Sequence, residues 1–198
     1  MAKQLVGIQG ELLPKATGKV MPEKMYHGRS RATSIETIID VNERYLAKPE
    51  EQWQPKRMVL GHPLPDWQRP HEWTEEQSIS FIESAWLGLH IGTYVVNARD
   101  YDKEGNEIPF SGALLDGQQR LTAIELYLNN AFKVFGYYWS QLCRSEQRKF
   151  EWCSFTSEEV NIWDEQELRA LSDRLAFGGT AHKEDYRALD GYVNEEAK

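Results

Sequence analysis

The chain has 198 residues, 40% of them hydrophobic, enough for one substantial core and room for an appended subdomain but not for several domains. With 23 Lys and Arg against 31 Asp and Glu the formal charge is −8, so the surface as a whole repels polyanions and any nucleic-acid contact must come from a local basic patch. Cys143 and Cys153 stand in no C-x-x-C pair and beside no histidine at ligand spacing, which argues for buried free thiols and against zinc, and the absence of a signal-like or membrane-length apolar run points to the cytoplasm.

Residues 1–32 carry Gly and Pro at short intervals and read as an irregular N-terminal arm. Thr33-Ser34-Ile35-Glu36 fits a capping box, and Ile35, Ile38, Ile39, Asn42 and Leu46 follow at helical spacing, which predicts a helix over 34–47. Arg57-Met58-Val59-Leu60 fits a short buried strand. Pro63, Pro65 and Pro70 then force Leu64–Arg69 to be extended or turned, because proline disfavours helix on the residue before it. Thr74-Glu75-Glu76-Gln77 repeats the capping-box pattern ahead of an apolar stripe, Ile79, Ile82, Ala85, Trp86 and Leu89, predicting a helix over 75–88. Residues 91–96 and 113–115 read as buried strands around a turn at Lys103-Glu104-Gly105-Asn106, and a helix carries Leu121, Ile124 and Leu128. Beyond it, 131–139 alternates as a strand, 143–151 is helical, 150–155 reads as a last strand, 164–176 is a helix stopped by Gly178-Gly179, and 182–194 is a polar closing helix or frayed tail. Glu158, Glu159, Asp164, Glu165 and Glu167 read as a solvated acidic face. Helices and short strands in this mixture predict an α+β domain.

Between the second strand pattern and its helix lies a polar knot, Asp116-Gly117-Gln118-Gln119-Arg120. A helix start leaves N–H groups unpaired and carries partial positive charge, Gly117 lets backbone approach a ligand, and Arg120 supplies a planar fork, so the knot suits a phosphate. The same spacing also fits a capping box in which Asp116 accepts from the Gln119 N–H and the Gln119 side chain reaches back. Gln118 and Arg120 are not needed for capping, and they favour the phosphate.

Leu64-Pro65-Asp66-Trp67-Gln68-Arg69-Pro70-His71-Glu72-Trp73-Thr74, followed by Ile82-Glu83-Ser84, Gly88 and Ile91-Gly92, resembles the opening of the N-terminal domain of GmrSD-type modification-dependent restriction enzymes. Asp116-Gly117-Gln118-Gln119-Arg120-Leu121-Thr122 resembles that domain's DGQQR signature, in the same order and at a matching separation, so the similarity spans residues 34–130. The resemblance implies a ParB/sulfiredoxin-like fold, a small mixed sheet with surrounding helices and a helical C-terminal part. It divides the chain into the 1–32 arm, a 33–135 nucleotide-binding core and a 136–198 extension packed on it. It also implies a nucleoside triphosphate with Mg²⁺ as cofactors: Asp116, Gln119 and Arg120 in catalysis, Asp116 on the metal, and Gln68, Arg69, Gly117, Gln118 and Thr122 binding nucleotide.

The expected activity is NTP hydrolysis coupled to a DNA-related process such as defence, counter-defence or DNA processing. A ParB-like DNA nuclease and a non-catalytic module that occupies a defence component are the alternatives. The sequence departs from the large restriction enzymes in having no room after residue 198 for their nuclease domain and no His-Asn-His arrangement among His27, His62, His71, His90 and His182, which suits a stand-alone form from a phage or mobile element. Phe177-Gly178-Gly179-Thr180 resembles the family's later glycine pair, with Phe177 in place of the expected asparagine. Of the remaining residues, His71 is expected at the surface or hydrogen-bonded, and Trp67 and Trp73 as packing anchors.

Overall fold

A computed structural model describes residue 24, residues 28–47, residue 53 and residues 55–177. Among the described residues six strands and five helices follow one another as β1 (Arg29–Arg31), α1 (Ile35–Ala47), β2 (Arg57–Val59), β3 (His62–Leu64), α2 (Glu75–Trp86), β4 (Thr93–Asn97), β5 (Leu114–Asp116), α3 (Gln118–Leu128), α4 (Arg144–Glu151), β6 (Thr156–Val160) and α5 (Glu165–Phe177), with a 3₁₀ turn at Trp139–Gln141. This is the α+β class that the sequence predicts.

The main sheet runs β1-β6-β4-β5, antiparallel at both edges and parallel between β6 and β4, while β2 and β3 form a separate hairpin. Side chains alternate across it, as strand geometry requires. Tyr94, Val96 and Leu114 point into a core filled by Ile35, Ile82, Leu121, Tyr127, Phe150 and Phe155 from the α1 to α4 side. Val95 and Leu115 point the other way, onto Leu168 and Leu171 of α5. The sheet is therefore covered on both faces, and segments from either side of residue 135, together with Arg29–Arg31 of the expected arm, share it.

Several local expectations change. The capping box on α2 forms as predicted, with Thr74 Oγ1 accepting from the Gln77 N–H at 3.3 Å and Gln77 Oε1 accepting from the Thr74 N–H at 2.9 Å. On α1 the predicted Thr33–Glu36 box is replaced by a partial one, one residue along: the Ser34 N–H donates to Thr37 Oγ1 at 3.4 Å, the Thr37 N–H donates to the Ser34 carbonyl, and Glu36 is exposed. Residues 131–139 form no strand. Phe135 (φ 49°) and Gly136 (φ 86°) make a two-residue turn closed by Val134 and Tyr137, whose N–H groups donate to each other's carbonyls at 3.0 and 3.1 Å, and a 3₁₀ turn follows. Among the described residues the last strand is 156–160 and not 150–155, which is the end of α4 and a turn.

Glu158 and Glu159 lie on that strand and are half-buried, and Glu159 Oε1 accepts from Arg31 at 2.5 Å on β1, so the acidic segment is partly internal to the sheet. Cys143 is exposed and Cys153 half-buried, so the thiols are free but not fully buried. Gly178, Gly179, Thr180, His182, the 182–194 segment and His27 lie outside the described residues. No helix among the described residues is long and apolar enough to cross a membrane.

Candidate functional site

β5 ends at Asp116 and α3 begins at Gln118, so the handover falls on Gly117, which takes a left-handed conformation (φ 97°, ψ 7°). Only glycine fits, because a Cβ here would lie 2.6 Å from Tyr94 Cβ on β4. Asp116 and Gln119 do not form the expected capping box: no side chain caps α3. The reason is tertiary. Asp116 Oδ2 accepts from Arg120 Nη2 at 2.7 Å, and the Gln119 amide turns to the neighbouring loop, its Oε1 accepting from the Glu72 and Trp73 N–H groups (2.9 and 3.1 Å) and its Nε2 donating to Pro70 O (3.2 Å). The first-turn amides are thus left to a ligand or to solvent.

An open cleft of about 200 Å³ lies at this helix start. Its floor is Leu115 to Arg120, one wall is the Trp67-Gln68-Arg69 turn with Trp73, and the opposite wall is Ser172, Asp173 and Ala176 of α5. The two separated motifs therefore converge on one cleft. Gln118 is only 7% exposed, and its Oε1 has no hydrogen-bond partner; the Arg120 Nε is likewise buried and unpartnered. Buried polar atoms without partners are costly, so a polar ligand at this place would relieve them. Thr122 is half-buried one turn along α3 and does not line the cleft.

Gln68 holds the wall together: its Nε2 donates to the carbonyls of Leu115 (2.9 Å) and Leu114 (3.3 Å), tying the turn to β5. Arg69 lines the cleft and pairs with Glu72 at 2.9 Å. Trp67 donates from Nε1 to Ser172 Oγ at 3.2 Å, lies under the Arg169 guanidinium and packs on Phe110, while Trp73 packs on Phe81, so both are anchors as well as cleft walls. His71 differs from expectation. Both its ring nitrogens are shielded and make no hydrogen bond among the described residues, and burial lowers its pKa.

Two contributors were not visible in the sequence. α5 brings Ser172 and Asp173 to the cleft from a segment with no motif. Arg57, on β2, donates to the carbonyls of Pro65 (3.3 Å), Gln68 and Arg69 (3.3 Å), so one guanidinium fixes the whole Gln68-Arg69 turn. Its only sequence signal is an arginine at the head of an apolar run. Arg57→Lys keeps the charge and removes the fork; urea unfolding should show a loss of about 2 kcal/mol, the magnitude of hydrogen bonds to a charged donor, and a loss under about 0.5 kcal/mol, the low end for any hydrogen bond, would remove Arg57 from this role.

The family model for the GmrSD restriction endonuclease N-terminal domain matches residues 55–195, which takes in the Gln68-Arg69 turn, the DGQQR helix start and α5. The chain belongs to this GmrSD N-terminal domain family. No curated protein and no solved structure matches it. Membership makes it a restriction-type domain of DNA-related defence.

For a GmrSD N-terminal domain the donor set bears on Mg²⁺. The described residues hold no group of three His, Cys, Asp or Glu side chains placed to bind a metal. Asp116, 41% exposed at its side chain, and Asp173 are the carboxylates lining the cleft, and Mg²⁺ is ordinarily held by one or two carboxylates together with substrate phosphates and water. The residues fit a cation that arrives with a polyphosphate.

Proposed function

We propose that the cleft binds the phosphates of a nucleoside triphosphate and hydrolyses it, as the switching or driving step of a DNA-related defence process. The observation that carries this reading is the buried, unpartnered Arg120 Nε donor at the uncapped start of an eleven-residue helix; the Gln118 Oε1 in the same cleft is an acceptor, suited to a water and not to a phosphate oxygen. Backbone N–H groups at Gly117 and Gln118 receive phosphate oxygens, and the Arg120 guanidinium, oriented by Asp116, faces the charge that develops during phosphoryl transfer. Gln118 is placed to orient the attacking water. Gln119, with both ends of its amide on the 70–73 loop, positions that loop and does not reach the reacting atoms. Mg²⁺, when bound, neutralises phosphate charge beside Asp116. A cleft of about 200 Å³ is smaller than pockets for whole ligands of drug size, so it suits the phosphates better than the base.

Calorimetry and phosphate release against ATP, GTP, CTP and UTP with Mg²⁺ test the proposal. The wild type should bind and turn over at least one of them. Arg120→Ala should reduce turnover by about 10²–10³, the effect expected for one electrostatic interaction made in the transition state, and Asp116→Ala should reduce both binding and turnover. Full activity in both variants removes the proposal.

A further inference from the structure

Four non-glycine residues among those described have positive φ: Leu60, Phe110, Asn130 and Phe135. For three of them the structure shows what the strained backbone achieves. Leu60 buries its side chain in the core, Phe110 packs against Trp53 and Trp67, and Asn130, a residue that tolerates this conformation, accepts from the Ser140 N–H. Phe135 is different. It occupies the first corner of a two-residue hairpin turn where Asn or Asp is favoured, and 56% of its surface is exposed. The turn itself is rigidly seated, since the flanking Phe132 and Val134 are both core residues. A bulky ring kept in an unfavourable conformation only to face water indicates a binding role.

The charge around the tip says what it faces. Residues 131–152 carry four cations, Lys133, Arg144, Arg148 and Lys149, against two carboxylates, Glu146 and Glu151, in a chain whose formal charge is −8. Glu151 is buried and accepts from Arg144 at 2.5 Å, so Arg144 is exposed but paired, while Lys133, which lies over the Tyr138 ring, Arg148 and Lys149 are exposed cations against one exposed carboxylate, Glu146. The hairpin and α4 are joined, because Trp139 packs on Phe150 and its carbonyl accepts from Gln147 Nε2 at 3.3 Å. Exposed lysine flanking an exposed aromatic is unlike a protein interface, from which lysine is depleted, and like a surface for a polyanion with apolar edges.

We infer that the Phe135 hairpin tip and the exposed cations of α4 form a double-stranded DNA contact, separate from the phosphate cleft. Lys133, Arg148 and Lys149 meet backbone phosphates, and the Phe135 ring wedges against base edges at the groove. The surface stands on residues outside the cleft, so it can fail or hold independently of nucleotide binding.

The test is fluorescence anisotropy of a labelled duplex of about 20 base pairs, without nucleotide, as a function of salt. Arg148→Glu combined with Lys149→Glu should weaken binding at least tenfold and lower the slope of log K against log salt by about 2, near 0.9 for each phosphate no longer neutralised. Phe135→Asn should weaken binding about tenfold, the order expected when one aromatic ring is taken away from a base, while the thermal midpoint stays level or rises because asparagine accepts the turn. Calorimetry of the same variants should show nucleotide binding unchanged. A wild type that binds no duplex, variants with wild-type affinity and slope, or a lowered midpoint in Phe135→Asn would each overturn the inference.

Discussion

Gly117→Ala should lower stability by about 2–4 kcal/mol and abolish phosphate binding in the cleft. Two costs add. An L-residue at φ 97° loses about 1 kcal/mol or more to left-handed backbone strain, and a Cβ placed 2.6 Å from Tyr94 Cβ forces strand and helix apart, as overpacking by a methyl does, for about 1–3 kcal/mol. Against a stability of about 5–15 kcal/mol this is a large fraction, and for a chain of this size it corresponds to a fall in Tm of about 10 °C. Gly88→Ala separates the two costs. Gly88 also has a positive φ, 71°, but a Cβ there meets nothing within 4 Å, so that variant carries the backbone cost alone. If thermal melts show equal losses for the two variants, close approach of β4 is not what demands glycine at the helix start. Phosphate binding should survive Gly88→Ala and vanish in Gly117→Ala, because only the second moves the helix-start amides proposed to receive phosphate.

What could be read in the sequence follows the range of the interactions concerned. The Thr74 capping box and the α2 stripe depend on neighbours three and four residues away; the box forms as predicted, and Ile79, Ile82, Ala85 and Trp86 of the stripe pack in the core, whereas the helix ends at Trp86 and Leu89 is exposed. Asp116 and Gln119 have the same spacing but different partners, because Gly117 bends the chain between them and other groups, Arg120 for one and the distant 70–73 loop for the other, outcompete a local cap. β6 was hidden for a related reason: Thr156-Ser157-Glu158-Glu159-Val160 has the composition of a solvated face, yet it runs between β1 and β4 with Arg31 meeting Glu159. β3 is three residues long with a proline at its centre, too short for periodicity to show. The convergence of Gln68-Arg69 with Gly117-Gln118 was legible through motif order, whereas the wall from α5 and the Arg57 clamp are products of tertiary packing alone.

Acid should destabilise the protein through His62. This residue on β3 is buried beside Tyr94, with Nδ1 donating to Gly112 O at 3.3 Å and Nε2 shielded and unpartnered. Burial, reinforced by the Arg99 guanidinium and only partly opposed by the Gly112 hydrogen bond, lowers its pKa from 6.5 to about 4. Arg99 cannot easily withdraw, since Glu107, 3% exposed, and Gly61 O both hold it. Between pH 4 and 6.5 the unfolded chain binds a proton that the folded chain refuses. The stability contributed by neutral His62 is therefore complete above pH 6.5 and is lost as the pH falls towards 4, by about 3 kcal/mol in all. Urea unfolding at pH steps from about 4.5 to about 7 should show this rise for the wild type. In His62→Leu the absolute stability falls, because Gly112 O loses its donor, but most of the pH slope disappears, leaving the shallower contribution of His71, whose pKa burial also lowers. An unchanged slope in His62→Leu would assign the acid sensitivity to other groups.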